Sequence, residues 1–283
     1  MIDLKVLIKN GVQFGHQTWR WNPRMERFIW GTKNGVHLID VSKTAHELDR
    51  AAKFLEEIAA QGKQILWVGT KNAAQNAIST AAQKSDSPYV RDRWIGGTLT
   101  NYSQVKKSVT KLLHYEDILK KTDKHNYTKK EYGVFQKIVD RLESNVGGIR
   151  NLRWPVAVVV VVDVKKDAVA VKEAQAMGVP VVAIVDTNCD PSGIDYIIPG
   201  NDDVARSVNV LVEELANAAA RGAARAEKKE HVAAERVDED RMLALKKLEE
   251  EEAAGHKKGG APRKVNKQAE EAPSSFAQAP QKK

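Results

Sequence analysis

The chain reads as an α/β domain with a parallel sheet between two layers of helices, and three observations carry that reading. Ile65 to Val68, Val156 to Val162 and Val179 to Val185 are continuous apolar runs. Strands that are apolar at every position belong to parallel sheets covered on both faces, whereas one-sided sheets alternate. Between the last two runs, Lys165 to Met177 carries Ala168, Val169, Val171, Ala174 and Met177 at helical spacing and is closed by Gly178, which completes a βαβ unit. Strand and helix patterns alternate through most of the chain, so the crossovers are right-handed.

The remaining elements follow in order. Val36 to Ile39 reads as a strand, and Ser42 can cap a helix from about Lys43 to Ala60 that Gly62 ends. A helix from about Asn72, which can serve as its cap, runs to Lys84, and a short strand lies near Tyr89. From Tyr102 to Gly147 there is no strand pattern. Val105, Val109, Leu112 and Leu119 instead recur at helical steps, as do Phe135, Ile138, Leu142 and Ile149 after a break at 122–127. With Thr128 and Glu131 as a capping box for the second helix, this predicts an antiparallel, coiled-coil-like hairpin with arms of about 30 Å. Asn145 interrupts its seam. A last short strand spans Tyr196 to Ile198, and a closing helix runs from Asp202 to about Arg221. Beyond Gly222, alanine, glutamate and lysine dominate and then all pattern is lost, so part of this tail is expected to be disordered. The divisions are an arm of residues 1–33, an α/β core of 34–101 and 150–221, a hairpin insertion of 102–149, and a charged tail of 222–283.

Charge and composition narrow the function. The 283 residues hold 45 Lys and Arg against 37 Asp and Glu, a net of +8. Residues 222–283 contain 14 basic and 12 acidic side chains, a net of +2, which leaves +6 on residues 1–221. That balance fits a polyanionic partner. Cys189 is the only cysteine, which excludes an intrachain disulfide and a four-cysteine zinc site. The amino terminus, MIDLKVLIKNGV, lacks the apolar core of a secretory signal, and the longest apolar run falls far short of the roughly 20 residues that cross a bilayer. The expectation is a cytoplasmic protein without a membrane partner.

Two clusters point to nucleic acid. Phe14 to Trp30 packs five aromatic side chains and the three arginines Arg20, Arg24 and Arg27 around a rigid Asn22-Pro23 turn. Guanidinium forks match phosphate oxygens and lie flat on bases, while indole rings such as Trp19 and Trp21 offer stacking surfaces. His16 and Gln17 could donate to RNA, although His16 fits a structural role equally well. The alternative for the whole segment is an arm whose aromatics pack on the domain. The second cluster is RDRWIGGTLTN: Arg91 and Arg93 supply charge, Trp94 a ring, Gly96 and Gly97 close backbone approach, and Thr98 and Asn101 polar contacts, with Asn101 or Thr100 able to cap the next helix. Lys106, Lys107 and Lys111 continue the positive stripe. Here too the alternative is a tight turn with Trp94 in the core.

An enzyme remains the competing class. Asp163, Asp186 and Asp190, with Asp202 and Asp203, fall beyond the carboxyl ends of strands, where open α/β sheets place ligands, and could gather a magnesium ion for phosphoryl transfer. Aspartate is also the usual strand terminator and helix cap. VGTKNAAQ lacks the spacing of a phosphate-binding loop, no GxGxxG occurs, and the histidines form no metal-binding or triad motif. A third class is a helical interaction module in which the hairpin and tail bind protein.

Several long segments in one order decide among these. GVQFGHQTWRWNPRM (11–25), NGVHLIDVSKT (34–44), ILWVGTKNAAQ (65–75), RWIGGTLTN (93–101), VVDVKKDAVAVKEA (161–174), VPVVAIVDTNCDP (179–191) and IPGNDD (198–203) closely resemble the bacterial small-subunit ribosomal protein S two family across almost all of residues 4–221. The resemblance implies a flavodoxin-like sheet with a protruding helical hairpin, and a structural protein with no catalytic residue, no cofactor, no metal and no small-molecule substrate. It implies binding to small-subunit ribosomal RNA and to neighbouring small-subunit proteins, including ribosomal protein S one, which it helps to dock. The family's arginine-rich motif falls on Arg20, Trp21, Asn22, Pro23 and Arg24, and its tryptophan-glycine turn on Arg93, Trp94, Gly96 and Gly97. Gln13 stands where the family usually has histidine, Trp19 where it has arginine, and Trp154-Pro155-Val156 replaces Leu-Pro-Asp.

Overall fold

The computed structural model of the chain describes residues 2–121 and 127–227. Five strands form one parallel sheet: β4 (Ile65–Val68), β5 (Tyr89–Val90), β6 (Val158–Val162), β7 (Val181–Val185) and β8 (Tyr196–Pro199), in spatial order β5-β4-β6-β7-β8. This is the doubly wound, flavodoxin-like order, with its switch point between β4 and β6. Every residue of β4, β6 and β7 is buried, which is why the sequence shows runs rather than alternation.

Alternate residues of each strand feed two separate cores. Ile65, Trp67, Val158, Val160 and Val182 face α2 (Val41–Ala60), α3 (Asn72–Lys84) and α7 (205–227). Leu66, Val68, Val159, Val161 and Val181 face α4 (Tyr102–Lys120), α5 (Lys129–Val146) and α6 (Ala168–Ala176). Helices α4 and α5 pack against each other, and Thr128 and Glu131 form both bonds of the capping box. The tip between them, residues 122–126, lies outside the described residues, as does the expected tail from 228 onward. Helix α7 continues past Gly222 to 227, so the change of composition at Gly222 does not mark its end.

Two caps differ from expectation. Asp40, not Ser42, caps α2, its carboxylate accepting from the Ser42 amide at 3.1 Å. Asn72 is the first residue of α3, and the preceding Lys71 offers no side-chain cap.

The amino-terminal region is not a bare arm. After α1 (Leu4–Lys9), strands β1 (Phe14–Gln17), β2 (Ile29–Lys33) and β3 (Val36–Ile39) form a three-stranded antiparallel sheet in the order β1-β3-β2. Val36–Ile39 is therefore a strand as expected, but of a second sheet. Asn34 and Gly35, with φ of 54° and 76°, turn β2 into β3, as a two-residue hairpin of this twist requires.

Candidate nucleic-acid interface

The cationic, aromatic surface is built by mooring its backbone and leaving its side chains outward. Between β1 and β2 the chain makes two 3-10 turns, Thr18–Arg20 and Pro23–Phe28, and the second is capped by Asn22, whose Oδ1 accepts from the Arg24 amide at 3.0 Å. Met25 and Phe28 plunge into the core. The loop after β7 holds the other end: Thr187 accepts the His16 amide on Oγ1 and the Asn22 amide on its carbonyl, each at 2.8 Å. A Cβ on Gly15 would meet Thr187 Cγ2 at 2.6 Å, so glycine is required for this approach. With the backbone fixed, Trp19 and Trp30 stand 71% and 75% exposed, and the Arg20 guanidinium lies 4.4 Å over the Trp19 ring. Trp21 turns inward against His37, with ring centroids 5.2 Å apart.

The second cluster is organised by a residue that sequence reasoning missed. Glu173, on α6, is buried and accepts hydrogen bonds from Trp94 Nε1 (3.0 Å) and from the amides of Gly97 (2.8 Å), Leu99 (3.0 Å) and Thr100 (3.3 Å). Burial alone would raise its pKa, but these donors outweigh it and hold the carboxyl below its ordinary value. Trp94 is consequently packed in the core, the alternative to a stacking ring, and Thr98 is buried beside it. Gly97 takes a φ of +91°, a conformation that favours glycine. Gly96 and Arg93 remain exposed. The only signal of Glu173 in the sequence is an acid among the apolar residues of a covered helix.

Ion pairing sorts the cations. Arg24 Nη1 donates to Asp190 Oδ2 at 2.6 Å and to Ser192 Oγ at 2.7 Å, and this guanidinium lowers the Asp190 pKa to about 2. Arg91 meets Asp92 at 3.3 Å. Arg20, Arg27, Arg93, Lys106 and Lys107 have no acidic side chain at ion-pair distance among the described residues, and all five are exposed. Gln17 is exposed and accepts from Trp19 Nε1 at 2.8 Å, and Asn101, at the amino end of α4, is exposed and makes no capping bond.

The carboxylates beyond the strand ends are partly compensated from within by Lys71 and His16. Lys71 Nζ lies 3.3 Å from Asp163, 2.8 Å from Asp202 and 2.5 Å from Asp203. Burial disfavours the Lys71 charge, yet these acids prevail and its pKa is raised. Asp202 is pushed up to about 7 by burial, with Asp186 and Asp163 adding to it. His16 completes the cluster: Nδ1 is 3.1 Å from Asp186 and Nε2 is 3.3 Å from Asp203. The first pair meets at ion-pair distance without the alignment of a hydrogen bond. The Asp186 contact, opposed by burial and supported by Asp203 and Asp202, raises the His16 pKa above 6.5. The donor groups His16, Asp186, Asp203 and Asp163, Cys189, Asp202 are close enough to share a cation, but the Lys71 ammonium already sits among three of those acids. Asp190, the remaining acid of the enzyme reading, is drawn off to Arg24.

Comparison with known proteins agrees with the geometry. Residues 7–222 match the family described as Ribosomal protein S2. The small ribosomal subunit protein uS2 of Micrococcus luteus is 47% identical over 223 residues, covering 78% of this chain and 78% of that protein. Those of Rhodopseudomonas palustris and Pseudarthrobacter chlorophenolicus are 42% identical over 224 residues and 45% over 223, covering 79% and 78% of this chain and 68% and 77% of the relatives. A family match over residues 7–222 and identity at this level over about four-fifths of the chain lead to one assignment: the chain belongs to the ribosomal protein S2 family.

Proposed function

We propose that this protein is a structural, non-catalytic component of the small ribosomal subunit, in the cytoplasm, and that it binds ribosomal RNA through Trp19, Arg20, Arg27, Arg93, Lys106 and Lys107. The observation that carries this reading is the outward Trp19 indole under the Arg20 guanidinium, which has no acidic side chain at ion-pair distance among the described residues, on a backbone tied to the core through Thr187. Such a surface engages phosphates by charge and exposed bases by stacking. His16, Arg24 and Trp94 contribute by shaping it, while Gln17, Trp21, Asn22, Gly96, Gly97 and Asn101 border it.

Lysate fractionated on sucrose gradients should show the protein with small subunits, released as salt rises. For the purified chain, Arg20→Ala with Arg27→Ala should weaken binding to small-subunit RNA and flatten the salt dependence by roughly one to two in logarithmic slope. An unchanged slope would remove the arm from the interface.

The docking of ribosomal protein S one is part of the same proposal. It is supported by a groove of about 310 Å³ lined by Leu4, Ile8, Trp30, Leu38 and Val41, in which Leu4, Ile8 and Trp30 are exposed apolar residues. Ile8→Glu should abolish capture of purified S one by small subunits that contain the variant. Normal capture would place S one elsewhere.

A further inference from the structure

Trp154 precedes β6 and was not among the residues assigned to either cluster. Its ring is stacked on Tyr102, the first residue of α4, with centroids 5.8 Å apart and planes inclined by 15°, yet it remains 41% exposed. Both rings are held. The Tyr102 hydroxyl donates to the Leu152 carbonyl at 2.7 Å, and Leu152 is buried. Gln64 grips the same segment from the other side, accepting the Arg153 amide at 2.6 Å and donating to the Asn151 carbonyl at 3.1 Å.

Two exposed cations lie near this ring pair in the chain. Lys106 lies one helical turn beyond Tyr102 and so shares its face of α4, and Arg153 is adjacent in the chain. Both are exposed, and neither has an acidic partner among the described residues. Asn101 ends the RWIGGTLTN turn and is followed directly by Tyr102, so the pair adjoins that turn in the chain.

We propose that Trp154, backed by Tyr102, is a stacking platform for an unpaired base of bound RNA, with Lys106 and Arg153 placed for the adjoining phosphates. The occupant is nucleic acid because a single held ring with exposed cations nearby in the chain offers a neutral base a face and its flanking phosphates two charges, whereas a protein partner would need a wider apolar surface. A third ring extends an existing two-ring stack with little ordering cost. This inference rests on the RNA-binding reading.

The test uses the full chain and small-subunit ribosomal RNA at fixed salt. Trp154→Leu is expected to weaken binding about five-fold or more, Trp154→Phe to retain most of it, and ultraviolet irradiation to attach a nucleotide to the Trp154 or Tyr102 peptide of the wild-type chain. Circular dichroism checks that each variant is folded. If Trp154→Leu does not fold, the Phe variant and the cross-link decide. A folded Trp154→Leu that binds as wild type, or a bound complex with no cross-link at either ring, overturns the platform alone. A wild-type chain that binds no RNA overturns the RNA-binding reading as well.

Discussion

Glu173 fixes the position of Trp94, Gly97, Leu99 and Thr100 in the turn that contains Arg93, and its neighbours in sequence give little hint of it. A lone acid in Ala168–Ala176 looks like a solvated helix position; only the fold brings it under residues more than 70 positions earlier. Glu173→Ala would leave the indole N–H of Trp94 and the Leu99 amide buried without an acceptor, at a cost of about 3 kcal/mol, read by urea denaturation. Because the folded pKa lies below the ordinary 4.5, the stabilisation is complete above that value and is lost as pH falls through the lower folded pKa. Glu173→Gln should flatten that acid limb. His16 has the opposite sign. Its folded pKa is raised by Asp186, Asp203 and Asp202, so its contribution is complete below pH 6.5 and is lost as pH rises through the folded value. The Asn22 amide, bonded to Thr187, should therefore lose hydrogen-exchange protection across that window in the wild type and not in His16→Gln. Equal profiles would show that His16 does not tie the arm down.

At the level of elements, legibility followed burial. Runs such as Val158–Val162 announce themselves because both faces are covered, and the capping box at Thr128 is a purely local signal. Strands β1 and β2 were not legible: they are short, partly exposed and irregular in register, and carry glycine and charge in place of alternation. The end of α7 was misplaced for a related reason, since Gly222 looks like a stop but serves as a contact. A Cβ there would lie 2.3 Å from the Glu56 carbonyl of α2 and 2.7 Å from Ala59 Cβ. Backbone cannot yield as a side-chain tip can. Gly222→Ala should therefore destabilise the fold by about 1 to 3 kcal/mol despite its better helix propensity, seen as a lower midpoint in thermal unfolding. A raised midpoint would mean that the two helices are free to separate.

For the whole molecule, the sequence carried the assignment well because seven long segments in one order leave little room for coincidence, and family membership followed. The strand-end chemistry was harder. Lys71, Asp163, Asp202 and His16 are far apart in the chain, and only the parallel sheet gathers them into one ion-paired cluster. The enzyme reading was therefore open in the sequence and closes with family membership, since the ribosomal protein S2 family is structural. The placement of Glu173 has a further consequence. Because Glu173 lies on α6, after β6 in the chain, the glycine turn is held only once residues more than 70 positions apart have met. A chain in which α6 has not yet docked lacks the acceptor that orders this turn. Newly made Glu173→Ala chains are accordingly expected to lag in pulse-labelled incorporation, even at temperatures where they persist.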